Sequence, residues 1–263
     1  MKNIIGFIGC GNMGGAIARA LSKKTTDFMI TDRSGRGREL AQELGCTYGD
    51  AETICRQAAA VFLAVKPQML RAALAPLAEI LSARKPLIIS MVAGVTMEAI
   101  QDMIGSSLPV LRIMPNTPVA VGSGVVPYCC SDLVTEDQEK LLLSHLSRAG
   151  FLTPMDESLL DAASALSGCG PAFVYMFIEA LADGAVACGL SRTQALQFAA
   201  ATVIGSGEMV LASGSHPGIL KDAVCSPAGS TIQGVRVLEE HGFRGAVMDC
   251  VIAAFEKNKK LGS

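Results

Sequence analysis

Much that would direct a protein to nucleic acid, metal or the cell exterior is missing from this 263-residue chain. Charge is sparse: 17% of residues are Asp, Glu, Lys or Arg, and the net charge is −2, with a pI near 5.9. Without a basic patch, neither nucleic acid nor an anionic membrane surface is an expected partner. There are 3 histidines, His145, His216 and His241, and each reads as a surface or structural residue. The 9 cysteines include no Cys-x-x-Cys pair. Cys129 and Cys130 are adjacent, a poor geometry for a bridge. A disulfide framework and a metal cluster are therefore not expected, and reduced thiols in a cytoplasmic setting are. At the N-terminus, Lys2 precedes an apolar run that ends in a glycine-rich turn rather than a cleavage site, so no secretory signal is expected. Internal repeats and low-complexity segments are also lacking.

What the chain does have is apolar residues. Half of it is hydrophobic, and the mean hydropathy of +0.41 is high for a soluble monomer. A membrane protein and an oligomer with helices buried between subunits both fit that value. The most apolar helical stretch, Pro171 to Leu190, carries Glu179 and Asp183 in its middle. Such charges are costly in lipid and tolerable on one face of a soluble helix. Burial between subunits is the expectation.

The first half alternates short apolar runs with helical periodicity. Strands are predicted at Ile4–Ile8, Phe28–Thr31, Ala60–Val65, Leu87–Ser90 and Val110–Ile113, and helices at Gly14–Lys23, Arg36–Gly45, Gln68–Leu81 and Thr135–Arg148. This alternation predicts a doubly wound, mostly parallel α/β sheet of the Rossmann type. Beyond about Asp156 helical spacing takes over, with helices predicted at Leu159–Leu166, Pro171–Gly189, Arg192–Ser213, Gly229–His241 and Phe243–Lys260. Two domains are expected: 1–157 binding a dinucleotide, and an all-α domain, 158–263, for dimerisation and substrate binding.

Gly6-Phe7-Ile8-Gly9-Cys10-Gly11-Asn12-Met13-Gly14 places Gly-x-Gly-x-x-Gly between the first strand and the first helix. Alone the motif is weak; in this context it reads as a dinucleotide loop. Gly9 permits the turn, Gly11 lets backbone approach a pyrophosphate, and Gly14 lets helix pack on strand. The helix start supplies free N–H groups for phosphate. About 20 residues on comes Thr31-Asp32-Arg33-Ser34-Gly35-Arg36. Asp32 would favour NAD through the ribose hydroxyls, whereas Arg33, Ser34 and nearby cations would favour a 2′-phosphate. NADP(H) is the expected cofactor, with NAD(H) the second option. Arg36 and Arg38 also read as an exposed helix face.

Several further segments share one order along the chain: Phe-Ile-Gly-Cys-Gly-Asn-Met at 7–13, Ala-Val-Lys-Pro-Gln at 64–68, Arg-Ile-Met-Pro-Asn-Thr-Pro at 112–118, Ala-Leu-Ser-Gly-Cys-Gly-Pro-Ala at 165–172, Glu-Ala-Leu-Ala-Asp-Gly at 179–184 and Lys-Asp-Ala-Val-Cys-Ser-Pro-Ala-Gly-Ser-Thr at 221–231. Together they resemble the pyrroline-5-carboxylate reductases, the family that completes proline biosynthesis. Its pattern near 226–231 usually reads Ser-Pro-Gly-Gly-Thr-Thr; here Ala228 and Ser230 replace a Gly and a Thr. The resemblance implies NAD(P)H-dependent reduction of the cyclic imine 1-pyrroline-5-carboxylate to L-proline by a homodimer, and family members also form larger rings of dimers. It implies cofactor contacts from Gly9, Gly11, Asn12, Met13, Arg33, Ser34, Ala64, Val65, Lys66, Pro67 and Ala93. For the substrate it implies Ser226, Gly229 and Ser230 around the carboxylate, and Thr231 as the catalytic hydroxyl on the ring nitrogen.

Spacing alone reads Ser226 as a helix cap with Pro227 in the first turn, hence an ordinary capped helix or a carboxylate site. Asn116, bracketed by two prolines just past a strand, reads equally as a turn residue or as a ligand contact. No general acid stands out. A ketone reductase normally positions Lys, His or Tyr to supply a proton. A protonated imine already carries its proton, so orientation and one hydroxyl can suffice. Lys66 and Lys221 remain candidate acids, but Lys66 reads rather as a cofactor-loop residue, and Lys221 as the partner of Asp222 or Glu239.

Two rivals are weighed. The β-hydroxyacid dehydrogenases share the plan and resemble Gly-x-Gly-x-x-x-Lys at the start of the interdomain helix, where the lysine is catalytic. Here Gly168 and Gly170 are followed by Val174 in the lysine's place. A non-catalytic dinucleotide-binding redox sensor also fits the fold, but has no need for the small-residue anion site at 226–231.

Overall fold

The computed structural model describes residues 4–23 and 27–260; Lys2 lies outside them. In chain order the first half runs β1 (Ile5–Ile8), α1 (Asn12–Ser22), β2 (Phe28–Thr31), α2 (Arg36–Leu44), β3 (Thr47–Tyr48), α3 (Ala51–Gln57), β4 (Ala60–Leu63), α4 (Pro67–Leu74), α5 (Ala78–Arg84), β5 (Leu87–Ser90), α6 (Met97–Ile104), β6 (Val110–Ile113), β7 (Gly124–Cys130), α7 (Glu136–Leu146) and β8 (Gly150–Pro154). The helical remainder is α8 (Leu160–Ala163), α9 (Gly170–Ala187), α10 (Arg192–Ser213), α11 (Pro217–Ala223), α12 (Ser230–Glu240) and α13 (Phe243–Lys259).

The eight strands form one sheet in the order β3-β2-β1-β4-β5-β6-β7-β8. Every pairing is parallel except β6 with β7. The order reverses between β1 and β4, and the carboxyl ends of strands at such a switch point are where open α/β sheets bind ligands. The central strands are buried along nearly their whole length, which is why they read as mostly apolar runs, broken by Arg112 in β6 and Ser90 in β5, rather than alternating ones. Phe7 of β1 lies parallel on Phe62 of β4 with centroids 4.5 Å apart, and meets Phe28 of β2 edge-on at 6.0 Å. These rings seat one sheet face against α1 and α7; α3 to α6 cover the other.

The sequence reading differs from this architecture in several places, the short β3 and the helices α3 and α6 among them. β7 and β8 extend the sheet where no strand was predicted. β7 carries Pro127 and two cysteines, and β8 is a mostly part-exposed edge containing Gly150 and Pro154, so neither presents the apolar run of a central strand. The predicted helix Gln68–Leu81 is broken: Ala75–Leu77 forms a 3-10 turn at Pro76, and α5 follows. Proline has no N–H to donate and crowds the preceding turn. The helix predicted at 159–166 passes from α8 into a π-turn, Ser164–Gly168. Finally, α11 lies between two predicted helices. By contrast, α7 starts on a capping box: Thr135 Oγ1 accepts from the Gln138 N–H at 3.3 Å, and Gln138 Oε1 accepts from the Thr135 N–H at 3.0 Å.

The contacts divide the chain into two compact units: residues through Cys169 with the chain from Ala254 onward, and Gly170–Ala253. The C-terminal segment groups with the first unit through contacts such as the Asn258 side-chain amide, which donates to the Asp161 carbonyl at 3.4 Å. The second unit buries very little. Its core among the described residues is Ala182, Ala195 and Ala199, with Ile178, Ala185 and Val186 against it. Met176, Phe198, Ile204, Leu211 and Met248 are all more than half exposed. Apolar surface this extensive marks a face that another molecule covers. Glu157–Ala187 and Arg192–Ser213 are long and apolar enough to cross a membrane by length and composition. However, Asp183 and Arg192 form an ion pair at 2.6 Å across α9 and α10.

Replacing Phe62 with Ala removes the ring at the centre of the sheet. It is expected to lower the unfolding free energy by about 3–5 kcal/mol, measured by guanidinium denaturation followed by circular dichroism.

Candidate active site

Gly9 follows β1 with φ of +99°, and a Cβ there would come within 2.5 Å of the Ala64 carbonyl oxygen. Gly14, one turn into α1, would meet the Gly9 carbonyl at 2.6 Å and the Ala64 methyl at 2.9 Å. The turn and the helix–strand contact thus each exclude a side chain. Gly11 differs: nothing lies within 4 Å of where its Cβ would be. It is the N-cap of α1, with no side chain closing the helix and no acid in the first turn. The first N–H groups of α1 therefore remain open to an anion.

They open onto a cleft of about 460 Å³ lined by Gly11, Asn12, Met13, Gly14, Arg36, Ala64, Val65, Lys66 and Met91. The structure thus brings together the glycine loop, the Ala64–Lys66 loop after β4 and the end of β5, all at carboxyl ends of adjacent strands. Pro67 is the first residue of α4, and Lys66 is exposed at its N-cap. Ala93 lies in the loop after β5, packed against the small cluster of Met114, Cys129 and Leu160. A second cleft, about 270 Å³, adjoins at Gly11 and Asn12 and is walled by Arg19, Arg36, Glu39 and Glu43. Arg19 and Glu43 pair there through two hydrogen bonds of 2.7 and 2.6 Å.

At the end of β2, Asp32 is already engaged. Its Oδ2 accepts from the Ser34 hydroxyl at 2.6 Å. Burial raises its carboxyl, but the Ser34 hydroxyl and the backbone N–H groups of Gly37, Gly35 and Ser34 outweigh that and hold it below the ordinary Asp value. The Oδ1 atom is buried without a full hydrogen bond, so N–H groups at the start of α2 act on it more through their field than through short bonds. Arg33, Ser34 and Arg36 are exposed around this turn. Arg36, though absent from the predicted set, borders both clefts. Arg38 turns away, its guanidinium 4.9 Å above the Tyr48 ring. That contact depends on β3 pairing with β2, a strand the sequence does not announce.

Asn116 has both ends of its amide committed. The nitrogen donates to the Ser167 carbonyl at 2.9 Å, and Oδ1 accepts from the Val125 N–H at 2.8 Å. At 6% exposure it braces the start of β7 against the π-turn. Of the two readings the sequence allowed, the structure displays the bracing one; for a ligand the amide keeps a second N–H and a second lone pair.

In the second unit, Ser226 is not the cap of α12. Ser226–Gly229 forms a tight turn closed by the Gly229 N–H donating to the Ser226 carbonyl at 3.0 Å. Pro227 is its second residue, and Ala228 its third, with φ of +57°. A type II turn demands positive φ at that third position, which is why Gly is favoured there. The helix then starts from Gly229, with no side-chain cap and no acid in its first turn. The N–H groups of Ser230, Thr231 and Ile232 are left open beside two hydroxyls.

The remaining proton carriers are occupied. His145 and His241 each place Nδ1 on the carbonyl four residues back, at 2.7 and 2.9 Å. His216 caps α11, its Nδ1 accepting from the Gly218 N–H. Lys221 pairs with Asp222 at 2.5 Å, and that bond raises its ammonium further; Glu239 is taken by Arg244. The nine cysteines are free thiols. Burial pushes Cys10 and Cys130 up to about 12 and Cys55 and Cys129 up to about 11, so these four are poor nucleophiles.

An α/β domain with a glycine-gated cleft at its switch point, joined to a helical unit that exposes an apolar surface, defines a dinucleotide-dependent oxidoreductase that self-associates through its C-terminal half. Comparison with known proteins narrows this. Residues 157–261 match the family model described as pyrroline-5-carboxylate reductase dimerisation. Residues 4–94 match that described as NADP oxidoreductase coenzyme F420-dependent. The chain is 39% identical to the pyrroline-5-carboxylate reductase of Escherichia coli K12 over 99% of both chains. With that of Methanosarcina acetivorans it shares 40% over 98% of this chain and 97% of the other. The Plasmodium falciparum pyrroline carboxylate reductase, solved with NADP bound, superposes with a TM-score of 0.88 at 33% identity, covering 100% and 99% of the two chains. The chain belongs to the pyrroline-5-carboxylate reductase family.

Two predictions follow from the turn geometry. Ala228→Gly relieves a left-handed alanine that costs roughly 1–2 kcal/mol; the looser unfolded chain of Gly offsets part of this, so a rise of a few tenths to 1 kcal/mol is expected by denaturant titration. The Asp32 carboxyl, depressed in the folded state, contributes stability that is present above the ordinary Asp range and lost as pH falls through its lowered value. Asp32→Asn is expected to flatten that acid limb, read as melting temperature between pH 2 and 6.

Proposed function

We propose that this protein reduces 1-pyrroline-5-carboxylate to L-proline with NADPH, as a homodimer in the cytoplasm, with residues 1–157 carrying the cofactor and 158–263 the substrate and the dimer interface. The observation that carries this reading is the start of α12, a helix of 11 residues that opens on Gly229 without a cap and presents Ser230 and Thr231 in its first turn. Such a terminus holds a carboxylate through backbone N–H groups and the helix dipole. Thr231 supplies a hydroxyl to the ring nitrogen, with Ser226, Gly229 and Ser230 around the carboxylate and Asn116 on the approach to the ring.

The dihydronicotinamide, when bound, supplies the hydride to the imine carbon. Everything else falls to the chain. Gly9, Gly11, Asn12 and Met13 offer the start of α1 to the pyrophosphate, and Ala64, Val65 and Lys66 line the cleft, with Pro67 and Ala93 assigned to the cofactor beside them. Arg33 and Ser34, with Arg36 added from the geometry, meet the 2′-phosphate, since the Asp32 carboxylate is held by Ser34 and the turn rather than presented to a ribose; NADH is accepted less well. The hydride converts a protonated imine directly to the amine, so no side chain has to deliver a proton at that step. This agrees with the occupied histidines and with Val174 in place of a catalytic lysine. A dimer of two α9–α13 faces is the unit we assign here, with rings of such dimers the larger assembly the family resemblance implies.

The test is the loss of NADPH absorbance with 1-pyrroline-5-carboxylate. Turnover is expected, with kcat/KM falling by about tenfold to a hundredfold in Thr231→Ala as one hydrogen bond is lost in the transition state. Tight dinucleotide binding without turnover of this imine would overturn the assignment.

A further inference from the structure

Arg112 is a charged residue in the middle of a buried strand. It sits in β6, 3% exposed, in register with Ser90 of β5 on one side and Cys129 of β7 on the other. Its Nη1 donates to Glu157 Oε1 at 2.6 Å, while its Nε is buried without a partner. The same Glu157 oxygen accepts from the Met97 N–H at 2.8 Å. Met97 is the first residue of α6, whose cap Thr96 accepts from Ala99. One carboxylate oxygen therefore joins strand β6, the start of α6 and the segment just after β8.

Between β5 and Met97 runs the loop Met91–Thr96. Met91 lines the larger cofactor cleft, and its N–H donates to the Leu63 carbonyl at 3.1 Å. At the loop's start, fully buried Ser90 accepts from the Val92 N–H at 3.2 Å. At its end, Glu157 holds Met97. The six residues are thus fastened at both ends, and the Glu157 end depends on a residue sixty positions away. A buried charge in a sheet is a costly way to gain stability, since an apolar residue of like volume does as well or better. Its use is instead geometric, because an ion pair with a shared acceptor fixes where α6 begins.

We propose that Glu157, held by Arg112, is a positioning residue for hydride transfer: it sets the Met91–Thr96 loop, whose first residue Met91 lines the cofactor cleft, and touches neither cofactor nor substrate. The proposal rests on the reductase reading for its kinetic arm, and on cofactor affinity alone for the other.

The experiment compares wild type, Glu157→Gln and Glu157→Ala as full-length enzyme. It measures NADPH affinity by nicotinamide fluorescence, affinity for adenosine 2′,5′-bisphosphate, kcat and KM with 1-pyrroline-5-carboxylate, and melting temperature. Glutamine keeps an acceptor for Met97 and Arg112 and is expected to retain kcat within about threefold. Alanine is expected to lower kcat and weaken NADPH by about tenfold each, with the bisphosphate, which lacks the nicotinamide, bound as in wild type. Alanine that lowers the melting temperature but leaves kcat and NADPH affinity unchanged overturns the proposal, as does glutamine as impaired as alanine. Should Glu157→Ala not fold, Glu157→Asp, which draws the carboxylate back from Met97 by one methylene, takes its place, and unchanged kcat and NADPH affinity there overturn the proposal equally. A wild type that binds NADPH but does not turn over this imine defeats the assigned reaction, and leaves the affinity arm to decide the loop.

Discussion

Several helices in this protein begin without a side chain to receive their first N–H groups, and two of them, α1 and α12, start where the proposed chemistry needs an anion held. The chain closes other helix starts with a side chain: Asp50, Thr96, Thr135, Ser191 and His216 cap α3, α6, α7, α10 and α11. At α1 and α12 it places glycine instead. A glycine start is a standing deficit of about a few tenths of a kcal/mol against a Ser or Asp cap, removed when an anion arrives. The first deficit faces a cleft at the switch point of a parallel sheet. The second lies in a helical unit with two hydroxyls beside it. On the proposed function, the first suits a phosphate-bearing cofactor and the second a carboxylate-bearing substrate.

The parts legible in sequence are those where one local rule decides. Central strands buried on both faces are mostly apolar, and β1, β2, β5 and β6 lie within a residue of their predicted ends. The glycine loop is legible because Gly9 and Gly14 are each forced by a clash that no other residue escapes. The parts missed are set by partners distant in sequence. β7 and β8 are strands because β6 and each other are available to pair, not because of their own pattern. Arg38 leaves the cofactor side for the Tyr48 ring, and Arg36 gains it, through the way α2 is seated on β2 and β3. Ser226 reads as a cap by residue type, yet the left-handed Ala228 folds it into a turn one step earlier. Asn116 allowed two readings, and only the partners Ser167 and Val125 show which one its amide serves.

The cysteines and histidines support the same picture from the other side. A reductase working on a protonated imine has no need of a poised acid, and each of the three histidines is spent on its own helix. The thiols that burial pushes far above neutrality are packing groups, fitted among the strands as small apolar residues would be.

The thin core of the second unit bears on how the molecule comes to exist. Its first unit folds around two full hydrophobic clusters, so it can form on a single chain. Helices α9 to α12 bury little beyond a few alanines by themselves, so their final packing waits on an encounter with another chain. Maturation is then a second-order process, rapid where translation is abundant and slow where it is scarce. A lone newly made chain would spend that interval with a finished dinucleotide domain and sticky helices, in the reach of chaperones and proteases.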